Sequence, residues 1–168
     1  DHVEGDFDAA VIMECGDLGR PGVAGLDRYR VVNIDHHPGN TGYGTINWYD
    51  ESAAACAEMV YDLVLALGVP VTPEIATHVY VAILTDTGSF HYSNISARTF
   101  ETSARLLEAG VDPVAVSRAV YDSNSIGRLR IFGAVLNAMQ VAPSGQFAVL
   151  YLDQAIAAAA GGRDRKST

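Results

Sequence analysis

The chain is poor in cysteine, tryptophan and positive charge. Its 168 residues include two cysteines, Cys15 and Cys56, one tryptophan, and 11 Lys+Arg against 20 Asp+Glu. Two cysteines are too few for a disulfide framework and lack zinc-ligand spacing, so a reducing, cytoplasmic setting is expected. The formal charge of −9 excludes a broad basic face for gripping nucleic acid. Any nucleotide substrate therefore needs a local device, such as a metal ion. The longest purely apolar runs are only a handful of residues, and no basic, hydrophobic, small-residue series opens the chain. Neither a transmembrane helix nor a secretory leader is expected. Against these shortages stand 49% apolar residues, enough for one sizeable core. The chain opens without Met, and its last residues, Gly161 to Thr168, have tail composition. It is expected to be a piece of something longer.

The first half alternates apolar strands with helices, an α/β pattern. Phe7 to Met13 is a short, nearly continuous apolar run that ends on Glu14-Cys15-Gly16-Asp17, as a buried parallel strand does when it stops at a site. Arg30 to Ile34 is a second such run and ends on Asp35-His36-His37, with a further short strand expected at Thr45 to Trp48. Met59, Val60, Leu63, Val64 and Leu67 form a helical stripe closed by Gly68. A second helix starts near Pro73 and runs through Ile75, Val79, Ala82 and Ile83 to Thr85-Asp86-Thr87-Gly88-Ser89. The remainder reads as mostly helical. Phe100, Ala104 and Leu107 share a face of a helix capped by Ser96 or Thr99. Pro113 to Tyr121 is a shorter helix, Ile126, Leu129, Phe132, Leu136 and Met139 mark another, and Phe147 to Leu152 is strand-like.

Three polar clusters thus follow core elements: Glu14 to Asp17, Asp35-His36-His37, and Asp86 with its Thr and Gly neighbours. Two of them lie at strand carboxyl ends, where open α/β sheets bind ligands. Buried carboxylates and imidazoles need hydrogen bonds, ion pairs or metals to balance them. Oxygen and imidazole donors without thiolate suit Mn²⁺, Mg²⁺, Fe²⁺ or Zn²⁺.

Asn33-Ile34-Asp35-His36-His37-Pro38-Gly39-Asn40, followed by Ile83-Leu84-Thr85-Asp86-Thr87-Gly88-Ser89-Phe90, resembles the DHH phosphoesterases, in the RecJ-related branch of bacterial oligoribonucleases and phosphoadenosine-phosphate phosphatases. The similarity runs from about Phe7 to about Leu152. It implies a doubly wound, mainly parallel sheet with flanking helices and a helical C-terminal portion. It divides the chain into a partial DHH domain over 1–152 and a linker or truncated tail over 153–168. It also implies hydrolysis of phosphodiester or phosphomonoester bonds in short oligonucleotides or phosphorylated nucleotides, by water activated at a two-ion manganese centre, with Mg²⁺ or another divalent ion as alternatives. No membrane partner is implied, and a homodimer is a candidate state.

Carried over position by position, the resemblance makes His36, Asp86 and Glu14 metal ligands, with Asp17 competing for the place of Glu14. His37 would meet the scissile phosphate and Asp35 would orient a neighbouring imidazole. Asn40 and Arg98 are candidate substrate contacts. Two departures stand out: the family's first motif, a His followed closely by two Asp residues, and its smaller substrate-binding domain have no counterpart here. The resemblance therefore implies about half of the metal centre and little of the substrate clamp in this chain. The rival readings are a manganese-dependent inorganic pyrophosphatase and a nucleotide-binding module that keeps the fold without catalysis. Blander readings suit other residues: His78 as a hydrogen-bonded core histidine, His91 as a surface residue, Cys15 as a small buried residue, and Glu58 as solvated or ion-paired.

Overall fold

The computed structural model describes residues 1–159. The chain forms two compact units, Asp1–Val116 and a second that begins at Ser117. The expected 1–152 domain is thus divided near residue 116, and most of the expected 153–168 tail, from 160 onward, lies outside the described residues.

The first unit is built on three parallel strands in the order β1, β2, β3: β1 at Ala10–Met13, β2 at Val31–Asp35 and β3 at Ile46–Tyr49. The registers pair Met13 with Ile34 and Asp35 with Tyr49, so the strands end together along one edge. Central β2 is the most buried, with Val31, Asn33, Ile34 and Asp35 all shielded, as its near-continuous apolar run requires. The first strand is shorter than the sequence suggests. Its ladder starts where Ala10 N–H donates to Arg30 O, and Phe7, upstream of that point, is exposed and packs on Tyr29.

Helices follow the sheet. Helix α1, Cys56–Ala66, lays Cys56 and Met59 on Ile34 and Ala53, with Trp48, Val60 and Leu63 around them. It ends as expected, Gly68 taking φ 67 after Leu67. Helix α2, Pro73–Asp86, starts where Thr72 Oγ1 accepts from Ile75 N–H at 3.3 Å and Pro73 fills the first turn. It buries Ala76, Val79, Tyr80, Ile83 and Leu84. Helix α3, Ala97–Glu108, starts at Ser96, whose N–H donates to Thr99 Oγ1 at 3.1 Å. Its buried face is Thr99, Thr102, Ser103 and Leu106. The stripe read from the sequence turns outward, with Phe100 and Leu107 exposed and Phe100 stacked on Phe90. Helix α4, Pro113–Ser117, is followed by a π-type turn at Arg118–Asp122, so the expected 113–121 helix is broken near its middle.

In the second unit, α5, Ile126–Asn137, is capped by Ser125, whose Oγ accepts from Arg128 N–H at 3.2 Å. The expected helix is present, yet Ile126, Leu129, Phe132, Leu136 and Met139 are all exposed. Strands β4, Gln140–Val141, and β5, Ala148–Val149, pair antiparallel, and α6 covers Gln154–Ala159. Of the strand expected at 147–152, two residues pair, Ala148 with Val141 and Val149 with Gln140. Among the described residues, no helix is long and apolar enough to cross a membrane.

Candidate functional site

The site lies at the carboxyl edge of the sheet. Glu14 follows β1 and takes a left-handed backbone with φ 60, a conformation that costs a non-glycine residue roughly 1–2 kcal/mol. This turn brings its side chain to the two histidines after β2. Glu14 Oε1 is 3.6 Å from His36 Nε2, and Oε2 is 3.7 Å from His37 Nδ1. Asp86, in the last turn of α2, places Oδ2 3.8 Å from the same His36 nitrogen. These side chains border an open cleft of about 360 Å³, whose rim includes Pro38, Glu51 and Asn94.

The imidazoles are oriented from behind. His36 Nδ1 lies 2.9 Å from Ala53 O; a carbonyl only accepts, so Nδ1 carries the proton and Nε2 faces Glu14 and Asp86. His37 Nδ1 lies 2.7 Å from Asp35 Oδ1. Asp35 is fully buried, and its second oxygen accepts from Asn40 Nδ2 at 2.6 Å. Burial opposes ionisation of Asp35, but the hydrogen bonds from His37 and Asn40 prevail and hold its pKa below the ordinary value.

Charge is concentrated in the cleft. Hydrogen bonding to Glu14, with help from Ala53 O and the Asp86 charge, outweighs burial and raises the His36 pKa to about 9. The same hydrogen bond lowers that of Glu14. Burial, reinforced by the charge of Glu14, raises that of Asp86. One ligand atom from each of Glu14, His36 and His37 fits within 4.8 Å of the others. Donors held about 2.1 Å from one divalent ion stand no more than about 4.2 Å apart. The 3.6–3.8 Å separations to Glu14 and Asp86 fall inside that limit, and the mixed nitrogen and oxygen donors suit such an ion.

Other residues named from the sequence lie elsewhere. Asp17 is exposed and caps its own turn, accepting from Gly19 N–H at 2.8 Å, so Glu14 is the acid beside the histidines. Asn40 has its polar atoms engaged within the protein: Nδ2 donates to Asn33 and Asp35, and Oδ1 accepts from Gly42 N–H. Arg98 reaches Asp50 at 3.0 Å and Asp62 at 2.7 Å, with Glu58 at 3.9 Å, so its guanidinium is turned to carboxylates. His78 is not in the core; it is exposed, its Nδ1 at 2.7 Å from Glu74 O. Cys15 is partly buried, whereas burial pushes the Cys56 thiol up to about 12. Sequence reasoning passed over the segment 53–56, whose backbone meets the site, and Asn94, whose amide donates to Ala54 O and Asp86 O. The segment acts through main-chain atoms, which carry no residue signature. The one usable signal was Glu58, three residues into α1, where a carboxylate can cap the helix start.

The sequence model described as "DHH family, N-terminal domain" matches residues 3–83. The bifunctional oligoribonuclease and PAP phosphatase NrnA of Thermus thermophilus is 48% identical over 48% of this chain and 25% of its own length. The protein of the same name from Mycoplasma pneumoniae is 38% identical over 58% of this chain and 29% of its own. The crystal structure of an exopolyphosphatase-related protein from Bacteroides fragilis superposes with a TM-score of 0.77 at 26% identity, covering 83% of this chain and 42% of that one. The chain spans between 25% and 35% of the length of the first curated relatives it matches. A parallel sheet delivers Glu14 and the Asp35-His36-His37 triplet to one edge within residues 3–83, the segment that matches the DHH family's N-terminal domain.

Proposed function

We propose that this chain is the metal-binding part of a phosphoesterase that hydrolyses phosphodiester or phosphomonoester bonds in short oligonucleotides or phosphorylated nucleotides, with Mn²⁺ as its ion. The observation that carries this reading is the convergence of Glu14, His36 and His37 at the ends of neighbouring parallel strands, with Asp86 beside His36. Support for the substrate class comes from relatives named as oligoribonucleases and PAP phosphatases.

Glu14, His36 and Asp86 would hold the ion. When bound, it supplies Lewis acidity and the positive charge that a protein of net −9 otherwise lacks for a phosphate substrate. Glu14 is kept anionic by its histidine neighbours, and His36 presents Nε2 once its proton has left. His37 has Nδ1 engaged by Asp35, which leaves Nε2 to meet a phosphate oxygen. The buried Asp35 stays ionised and fixes that ring orientation.

Calorimetric titration with Mn²⁺ of this chain and of His36→Ala, with folding followed by circular dichroism, tests the reading. Binding that is lost in the variant supports it; a well-folded wild-type chain that binds no Mn²⁺ overturns the metal assignment. A dinucleotide, a 3′-phosphorylated nucleotide and pyrophosphate then serve as substrates for a longer version of the protein. Cleavage of pyrophosphate alone would favour a manganese pyrophosphatase.

A further inference from the structure

Segment 53–56 meets the site through three backbone contacts. Ala53 O accepts from His36 Nδ1 at 2.9 Å, Ala54 O accepts from Asn94 Nδ2 at 2.9 Å, and Cys56 N–H donates to Glu14 Oε1 at 3.2 Å. The Asn94 amide also donates to Asp86 O at 3.2 Å. Where this segment sits therefore decides how several proposed ligand residues are aimed.

Its far side is pinned at both ends. Ala53 N–H donates to Asp50 O at 3.1 Å, and Ala54 N–H donates to Glu58 Oε2 at 3.1 Å. Arg98 spans these anchors, Nη1 to Asp50 Oδ2 at 3.0 Å and Nε to Glu58 Oε2 at 3.9 Å, while Nη2 holds the outer Asp62 at 2.7 Å. Glu58 is 1% exposed, and its Oε1 has no hydrogen-bond partner. A buried carboxylate with an idle oxygen is costly, and helix capping alone could be met by a neutral glutamine. The carboxylate is explained by the guanidinium that faces it.

We propose that Arg98 and Glu58 are positioning residues, which hold backbone segment 53–56 so that Ala53 O orients His36 and Cys56 N–H orients Glu14. The inference rests on the metal-centre reading for its consequence, but the orientation of His36 can be measured without a metal.

The test uses the full chain with ¹⁵N-labelled histidine. It follows the slowly exchanging His36 Nδ1–H resonance in the metal-free protein, then Mn²⁺ affinity by calorimetry. Arg98→Ala and Glu58→Ala are expected to lose the resonance and to bind Mn²⁺ at least tenfold more weakly. Glu58→Gln keeps an acceptor for Ala54 N–H but gives up the charge that faces Arg98, and is expected to bind Mn²⁺ more weakly than wild type and more tightly than Glu58→Ala. Asp62→Ala removes only the outer contact and should leave both readouts unchanged. If Arg98→Ala does not fold, Arg98→Lys replaces it; a single ammonium cannot span Asp50 and Glu58, so the same losses are expected. Folded Arg98 and Glu58→Ala variants with wild-type resonance and affinity overturn the inference, as does a wild-type chain without the resonance. A wild-type chain that shows the resonance but binds no Mn²⁺ overturns the metal-centre reading instead, and the positioning role is then judged on the resonance alone.

Discussion

The carboxylate of Glu14 accepts a hydrogen bond at 3.2 Å from the backbone N–H of Cys56, 42 residues further along the chain. Cys56 is the first residue of α1, whose cap, Ala55, offers no side-chain acceptor. Glu14 therefore satisfies an open helix N–H and places negative charge at the positive end of the helix dipole, while its oxygens face both histidines.

Glu14→Gly separates the backbone cost of this arrangement from its chemistry. Glycine accepts φ 60 without strain, so this variant should be about 1 kcal/mol more stable than Glu14→Ala in urea unfolding. Both variants should lose Mn²⁺ binding in calorimetry. An Ala variant as stable as the Gly variant would mean that the left-handed turn relaxes on substitution.

His36→Ala and Asp86→Asn, in a version long enough to be active, should each abolish Mn²⁺-supported hydrolysis with little loss of helix content by circular dichroism. His37→Ala should lower turnover while Mn²⁺ still binds. Complete loss of the ion in His37→Ala would exchange the roles assigned to the two histidines.

Stability of the metal-free chain should fall as pH rises. The folded-state pKa of His36 is raised from 6.5 to about 9, so its contribution is fully present below pH 6.5 and is lost as pH passes through about 9. That contribution is about 3 kcal/mol at most, since each pKa unit is worth about 1.4 kcal/mol. Urea midpoints from pH 6 to pH 10 should converge between wild type and His36→Gln at the alkaline end. Parallel curves would place the raised pKa elsewhere.

Asp35→Asn should destabilise the fold by on the order of 3 kcal/mol. Both Asp35 oxygens accept, from His37 and from Asn40, and the carboxylate is completely buried. An asparagine amide would turn a donor toward one of these donors. Thermal or urea unfolding measures the loss, and an unchanged midpoint would show that the network rearranges freely.

Gly88→Ala should cost about 1–2 kcal/mol. Gly88 has φ +54, and an added Cβ would meet the Tyr92 ring at 2.4 Å. Ser89 and Phe90 continue the left-handed turn at φ 60, so the chain cannot relax there without moving Phe90 from its stack on Phe100. The melting temperature of the variant checks this.

The sequence by itself determined what local chemistry controls. Apolar runs ending on Glu14 and on Asp35-His36-His37 marked β1 and β2, and Pro73 and Gly68 marked the boundaries of α2 and α1, because extended cores, fixed φ and left-handed glycine are properties of a few adjacent residues. It also marked the acids and imidazoles that stand at strand ends. Only the tertiary structure placed Glu14 rather than Asp17 beside the histidines, turned Phe100 and Leu107 outward on α3, and directed Arg98 to Asp50 and Glu58. It alone placed Ala53 O behind His36. These outcomes depend on contacts between residues 10 to 48 positions apart and, at segment 53–56, on backbone atoms common to every residue. Periodicity and motif spacing carry the first kind of information, and only the packed sheet and helices carry the second.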